Sequence, residues 1–177
     1  RGKMIDGILI WGMLDQDRYL NELAEEKIPL VLLQNSPEDF PGHTVTADDY
    51  YGASAVTEKL IRAGHRKIAV ASPPLGASTG RNRYRGVVDT LASHGITDYF
   101  EFSERGYGYN FGGWAAMEIA GKASGVTAVI MPNDLAAWGC LDTFRKLRIR
   151  VPEDISLVGG DGLWVPGEIQ ISSYKTP

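Results

Sequence analysis

Three arginines, Arg81, Arg83 and Arg85, crowd one helix start in the run Ser78-Thr79-Gly80-Arg81-Asn82-Arg83-Tyr84-Arg85-Gly86, where positive charge opposes the helix dipole. Either they form a solvated patch with their stems lying over apolar surface, or one guanidinium points into a cleft and makes paired hydrogen bonds to an oxygen-rich ligand. Asp161 is the second candidate, in Gly159-Gly160-Asp161-Gly162 directly after a strand-like apolar run. It serves as a turn or cap residue, or as a ligand-facing carboxylate, since parallel sheets collect ligands at the carboxyl ends of their strands. Asn133 and Asp134 follow Pro132 at another strand end, and either can accept the orphan backbone N–H groups of the next helix. Trp11 ends the first strand-like run, as a core aromatic or as a flat face for a sugar or base.

Other motifs carry less. Gly106 to Gly112, GYGYNFG, has a superficial likeness to a dinucleotide fingerprint, but its spacing is Gly-x-Gly-x-x-x-Gly. Tyr107 and Tyr109 also stand where backbone must approach phosphate. His43, His65 and His94 fall in loops or at helix ends, and His65 suits a hydrogen bond to backbone at a corner. Neither a Gly-x-Ser-x-Gly elbow nor a pair of histidines on one helix face occurs. No catalytic residue, metal ligand set or cofactor is expected, and the chain reads as a non-enzyme.

The elements that must position these residues alternate. Apolar, β-branched runs predict strands at 4–11, 28–33, 45–46, 67–71, 99–102, 127–131, 155–158 and 168–174. The charged 99–102 run belongs nearer a sheet edge. Helices are predicted after Asp15 and Asp17, with Tyr19, Leu20, Leu23 and Ala24 on one face, and after Asp48 or Asp49, closing at Gly64. Others run over about 81–94, up to Lys122 after a loop at 105–113, and from 134, where Ala137, Leu141, Phe144 and Leu147 make one apolar stripe. Connections too long for hairpins make this an α/β chain of parallel sheets flanked by helices.

Composition sets bounds. The 177 residues, 44% hydrophobic and 23% charged, allow one large α/β domain or a domain and a half. A net charge of −4 argues against gripping nucleic acid with this stretch alone, which needs a basic footprint. The single cysteine, Cys140, sits mid-helix, so no internal disulfide forms. No apolar run approaches the ~20 residues of a membrane span and no secretory h-region occurs, which fits a cytoplasmic location without a membrane partner. The chain opens on Arg1-Gly2-Lys3 straight into a strand and closes on Thr176-Pro177 after strand-like sequence, so both ends read as cut.

Several segments together resemble the effector-binding core of LacI/GalR-family transcriptional regulators. They are IDGILI, IPLVLL, DDYYGASAVTEKLIRAGHRKIAV, the Arg83-x-x-Gly86 turn, VTAVIMPNDLAAWG, VPEDISLVGGD and ISSYKTP, in the family's order and spacing. The resemblance implies a periplasmic-binding-protein-like core of two subdomains around a cleft. Residues 1–47 would be an incomplete N-terminal subdomain, 48–170 the C-terminal subdomain and 171–177 a strand crossing between them. It also implies cleft contacts at Trp11, Gln34, Arg83, Asn133, Asp161 and Thr176. Tyr107 or Tyr109 would take the place of an aromatic that this chain lacks at Gly108, and Gly162 stands where a second acid is common. The implied partners are a small-molecule effector, favoured to be a sugar over a purine, and operator DNA held by a helix-turn-helix headpiece absent from this chain. A homodimer is implied through Leu141, Phe144, Arg145 and Arg148. The competing readings are a stand-alone periplasmic-type solute receptor and a Rossmann-type oxidoreductase using the 106–112 loop.

Overall fold

The computed structural model describes residues 5–12, 19–26, 28–37, 40–103, 106–163 and 171–175. Two parallel sheets carry the chain. The first, in order β1-β2-β3, is built from β1 (Ile8–Trp11), β2 (Leu30–Leu33) and β3 (His43–Val45), with helix α1 (Tyr19–Glu25) between the first two strands. The second has the order β5-β4-β6-β7-β8. It comprises β4 (Ile68–Ser72), β5 (Phe100–Ser103), β6 (Ala128–Ile130), β7 (Ser156–Asp161) and β8 (Ser172–Lys175). Helices α2 (Asp49–Arg62), α3 (Ser78–Ser93), α4 (Tyr109–Lys122) and α5 (Asp134–Lys146) connect and cover it.

The second sheet is buried on both faces because its strands alternate between two cores. Ile68 and Val70 of β4 and Ala128 and Ile130 of β6 face α2 and α3 with Leu60, Val87 and Leu91. Ala69, Ala71 and Val129 face α4 and α5 with Ala115, Ala137, Cys140 and Phe144. This is the doubly covered arrangement that parallel strands require. The first sheet is asymmetric. Leu20, Leu30 and Leu32 form a small cluster on one face, whereas Leu9, Trp11 and Val45 are left 71%, 72% and 60% exposed.

Several boundaries differ from expectation for physical reasons. Helix α3 starts at Ser78, so Arg81 closes its first turn, donating its backbone N–H to the Ala77 carbonyl at 3.1 Å, and Arg83 and Arg85 lie beyond it. Its cap comes from elsewhere in the chain, since the Ser78 backbone N–H donates to Asn35 Oδ1 at 2.8 Å. Helix α4 begins at Tyr109, inside the expected loop. There Gly112 is a packing position, where a Cβ would come within 1.8 Å of the Ala136 carbonyl oxygen on α5. His65 uses Nδ1 on the Thr127 hydroxyl at 2.9 Å, not on backbone. Asp48 is the N-cap of α2, accepting from the Tyr51 N–H, and Asn133 is the N-cap of α5, accepting from the Ala136 N–H.

The stripe on α5 also corrects the expected dimer contacts. Leu141 and Phe144 are 1% and 0% exposed, spent on the core beside β4 and β6, so neither is available to a second copy. Leu147, the stripe's last member, is exposed at the C-cap, and Arg145 and Arg148 are exposed beside it. The expected helix start at Asp15 and Asp17, and residues 168–170 of the expected last strand, lie outside the described residues.

Helices α4 and α5 touch backbone to backbone, and a Cβ at Gly139 would sit 1.9 Å from the Tyr109 carbonyl oxygen. Since neither backbone can yield cheaply, Gly139→Ala is expected to cost at least ~2 kcal/mol of stability, measured by urea unfolding.

Candidate functional site

Arg83 organises the site. It projects from α3 and is only 6% exposed. Its Nε donates to Asp49 Oδ1 at 2.7 Å, its Nη1 to the Pro132 carbonyl at 2.8 Å, and its Nη2 pairs with Asp161 Oδ1 at 2.8 Å. The Tyr174 ring lies against the guanidinium, 5.5 Å from centroid to Cζ, in cation–π range. That ring occupies a cradle in which a Cβ on Gly52 or Gly160 would overlap it. Burial disfavours the Arg83 charge, but Tyr174, Asp161 and Asp49 more than offset this and hold its pKa above the ordinary arginine value.

Above this cluster lies a hollow of about 610 Å3, lined by Trp11 at the end of β1, Gln34 just past β2, Arg83 of α3, Tyr107 before α4 and Asp161 at the end of β7. Its volume suits a ligand of sugar or nucleobase size. Trp11 Nε1 donates to Gln34 Oε1 and pins the plane of an indole that is 72% exposed. Gln34 (φ 65°) and Asp161 (φ 127°) both hold a backbone conformation that side-chain-bearing residues rarely adopt. The wall between the sheets is stitched by polar contacts. Thr79 Oγ1 donates to the Gln34 carbonyl at 2.9 Å, and the Ser36 N–H donates to Ser78 Oγ at 2.8 Å.

The remaining expected residues divide. Asn133 does not line the hollow. Its Oδ1 caps α5, and its Nδ2 donates to the Tyr107 carbonyl at 2.7 Å, so it holds the tyrosine that does. Tyr109 points elsewhere, donating to Asp142 Oδ2 at 2.6 Å and meeting Trp138 edge-on. Thr176 lies outside the described residues.

Sequence reasoning missed Asp49, Asp134 and Tyr174 as parts of the site. The Asp48-Asp49 doublet was a signal, because one carboxylate suffices to cap the helix and the second then needs a partner. Asp134 Oδ2 accepts from the Leu163 N–H at 2.7 Å and from Ser173 Oγ at 2.9 Å, fixing the turn that follows Asp161. Burial raises the pKa of Asp134 above 3.8, against the lowering effect of Ser173 and Leu163. Burial likewise raises Asp49, opposed by Arg83.

Two consequences can be measured. Arg83→Ala strips the buried Asp49 carboxylate of the guanidinium it faces and is expected to cost roughly 3–5 kcal/mol of stability in urea unfolding. For Asp134, a folded-state pKa above the unfolded value gives stability that is complete below pH 3.8 and is lost as pH rises through the raised pKa. Relative to wild type, Asp134→Asn should therefore flatten the fall in stability that urea melts record from about pH 4 upward.

Residues 57–177 match the family described as periplasmic binding protein-like domain. Among curated relatives, the probable HTH-type transcriptional repressor ExuR of Bacillus subtilis is 30% identical over 174 residues, which is 97% of this chain and 50% of that protein. A LacI family transcriptional regulator from Mycobacterium smegmatis is 32% identical with a TM-score of 0.79, covering 92% of this chain and 60% of that one. The complex of the transcriptional regulator CelR with cellobiose is 28% identical with a TM-score of 0.80, over 91% of this chain and 50% of that chain. The chain thus spans about half the length of the curated relatives it matches. By its parallel sheets and the match over residues 57–177, the chain belongs to the periplasmic binding protein-like domain family.

Proposed function

We propose that this chain is the effector-sensing core of a LacI-type transcriptional regulator, binding a small sugar reversibly and without catalysis. The observation that carries the reading is the 610 Å3 hollow between two sheets, with an exposed, pinned indole on one wall and Arg83 with Asp161 on the other. A flat aromatic face with a donor–acceptor pair suits a ring that has apolar C–H faces and hydroxyl edges. The CelR structure holds cellobiose, which supports a saccharide over a purine. The matched relatives bear the names of HTH-type regulators, which supports this reading over a stand-alone solute receptor.

In this reading residues 1–47 and 48–170 belong to two subdomains, and residues 171–177 cross between them. Effector binding biases their relative arrangement, and operator DNA responds through a headpiece outside this stretch. Such coupling requires that the effector bind one arrangement better than the other. The protein acts in the cytoplasm as a homodimer, with Arg145 and Arg148 of α5 at the contact. No helix among the described residues is long and apolar enough to cross a membrane.

Thermal-shift screening against neutral mono- and disaccharides and against purines tests the ligand class, and stabilisation by purines alone would overturn the sugar reading. Trp11→Ala is the sharper probe, because the indole is largely exposed and contributes little to the core. It is expected to weaken sugar binding by about tenfold or more in calorimetry while leaving the melting temperature of the free protein within about 2 °C.

A further inference from the structure

We propose that Asp49, which lies behind the site, sets the charge selectivity of the hollow, so that it accepts an uncharged polyhydroxylated ring and rejects the matching uronate or sugar phosphate. The inference rests on the sugar reading above and narrows it.

Charge and the geometry of the donors decide what the hollow accepts. Among the described residues that line the hollow, only Arg83 and Asp161 carry formal charge. A lone arginine on such a wall would favour a carboxylate or phosphate, taken by two parallel N–H donors. Here three of the five guanidinium N–H donors are already engaged, Nε with Asp49, Nη1 with the Pro132 carbonyl and Nη2 with Asp161, so each terminal nitrogen keeps one donor for a ligand oxygen and the charge is already shared between two carboxylates. Two carboxylates face one cation, and Asp49 is itself 3% exposed, so water does little to screen it. Asp134, fully buried and bonded to the Leu163 N–H behind Asp161, adds a further acidic group on the same side. Lys175, the β8 partner of Asp161, is exposed on the outer strand and does not line the hollow.

A ligand carboxylate would have to displace Asp161 from Nη2 or sit beside it as a like charge, and like charges placed together in a desolvated site are strongly disfavoured. A hydroxyl has no such conflict. It can accept from the guanidinium and donate to the Asp161 carboxylate at once. Asp49 touches no ligand in this scheme. It acts through Arg83, as a residue that determines specificity from the second row.

The test compares matched ligands by titration calorimetry on the intact protein: glucose with glucuronate, galactose with galacturonate, and each uronate with its methyl ester. Wild type should bind the uncharged sugar at least about tenfold tighter than its uronate, and the methyl ester should recover sugar-like affinity. Asp49→Asn keeps a hydrogen-bond acceptor for Nε and removes the charge, so it should shrink that ratio by about tenfold, chiefly through tighter uronate binding. Asp49→Glu should keep the wild-type preference. A loss of packing alone would weaken both members of a pair and leave the ratio unmoved, which would overturn the role given to Asp49. Wild type preferring uronates over sugars and esters would overturn the inference while the sugar reading stands, and this arm needs no variant to fold. Binding by no member of any pair would sink both.

Discussion

A guanidinium sealed between two carboxylates obliges four stretches of chain to converge. Asp49 arrives on α2, Arg83 on α3, Asp161 at the end of β7 and the Pro132 carbonyl just past β6. An uncompensated buried charge still costs several kcal/mol after relaxation, so the cluster is tolerable only when all partners are in place. That requirement explains small residues nearby that would otherwise look arbitrary. A Cβ on Gly86 would stand 2.4 Å from the Tyr50 carbonyl oxygen, so α3 reaches α2 closely enough to pair Arg83 with Asp49 only with glycine there. Gly52 and Gly160 likewise make room for the Tyr174 ring that covers the guanidinium.

The hollow joins two walls of unequal support. Its floor belongs to a sheet buried on both faces, and its rim is Trp11 on a sheet whose small cluster holds only one face. What unites them locally is a short set of polar contacts, in which Asn35 and the Gln34 carbonyl accept from the start of α3. Asn35 and Ser78 are 3% and 7% exposed, so these bonds lie away from competing water. The same loop supplies Gln34, whose side chain orients Trp11. Movement of one wall against the other is thereby tied to the residues that line the hollow, the kind of linkage that lets ligand contacts bias an arrangement.

The sequence was legible where a local rule decides the outcome. Alternation of apolar runs with helical stripes gave parallel sheets under helices, and the placement of Asp161 at a strand end followed from the same reading. It was not legible where a residue answers to a distant partner. The start of α3 depends on Asn35, 43 residues earlier, and nothing in the run around Ser78 reveals that cap. Asn133 read as both a cap and a ligand contact, and its side chain is divided between the Ala136 N–H and the Tyr107 carbonyl. Leu141 and Phe144 show the limit of a stripe. Periodicity tells that one face is apolar, and only tertiary packing tells whether a sheet or a second copy covers it.

The backbone at Asp161 is the last piece of the logic. With φ at 127°, this residue occupies a region where glycine is at ease and a side chain costs roughly 1–3 kcal/mol. Glycine stands on both sides of it, so the strained position is the one that keeps a carboxylate. Its partner is Arg83 Nη2 at 2.8 Å, and the turn beyond it is fastened by Asp134 to the Leu163 N–H and by Ser173 Oγ to the Gly162 N–H. Strain of this kind persists only when surrounding contacts over-determine the conformation. Here those contacts are the buried ion cluster on one side and the Asp134–Ser173 clasp on the other. The carboxylate is therefore held at the lip of the hollow by interactions complete before any ligand arrives, which spares a ligand the entropic cost of ordering it.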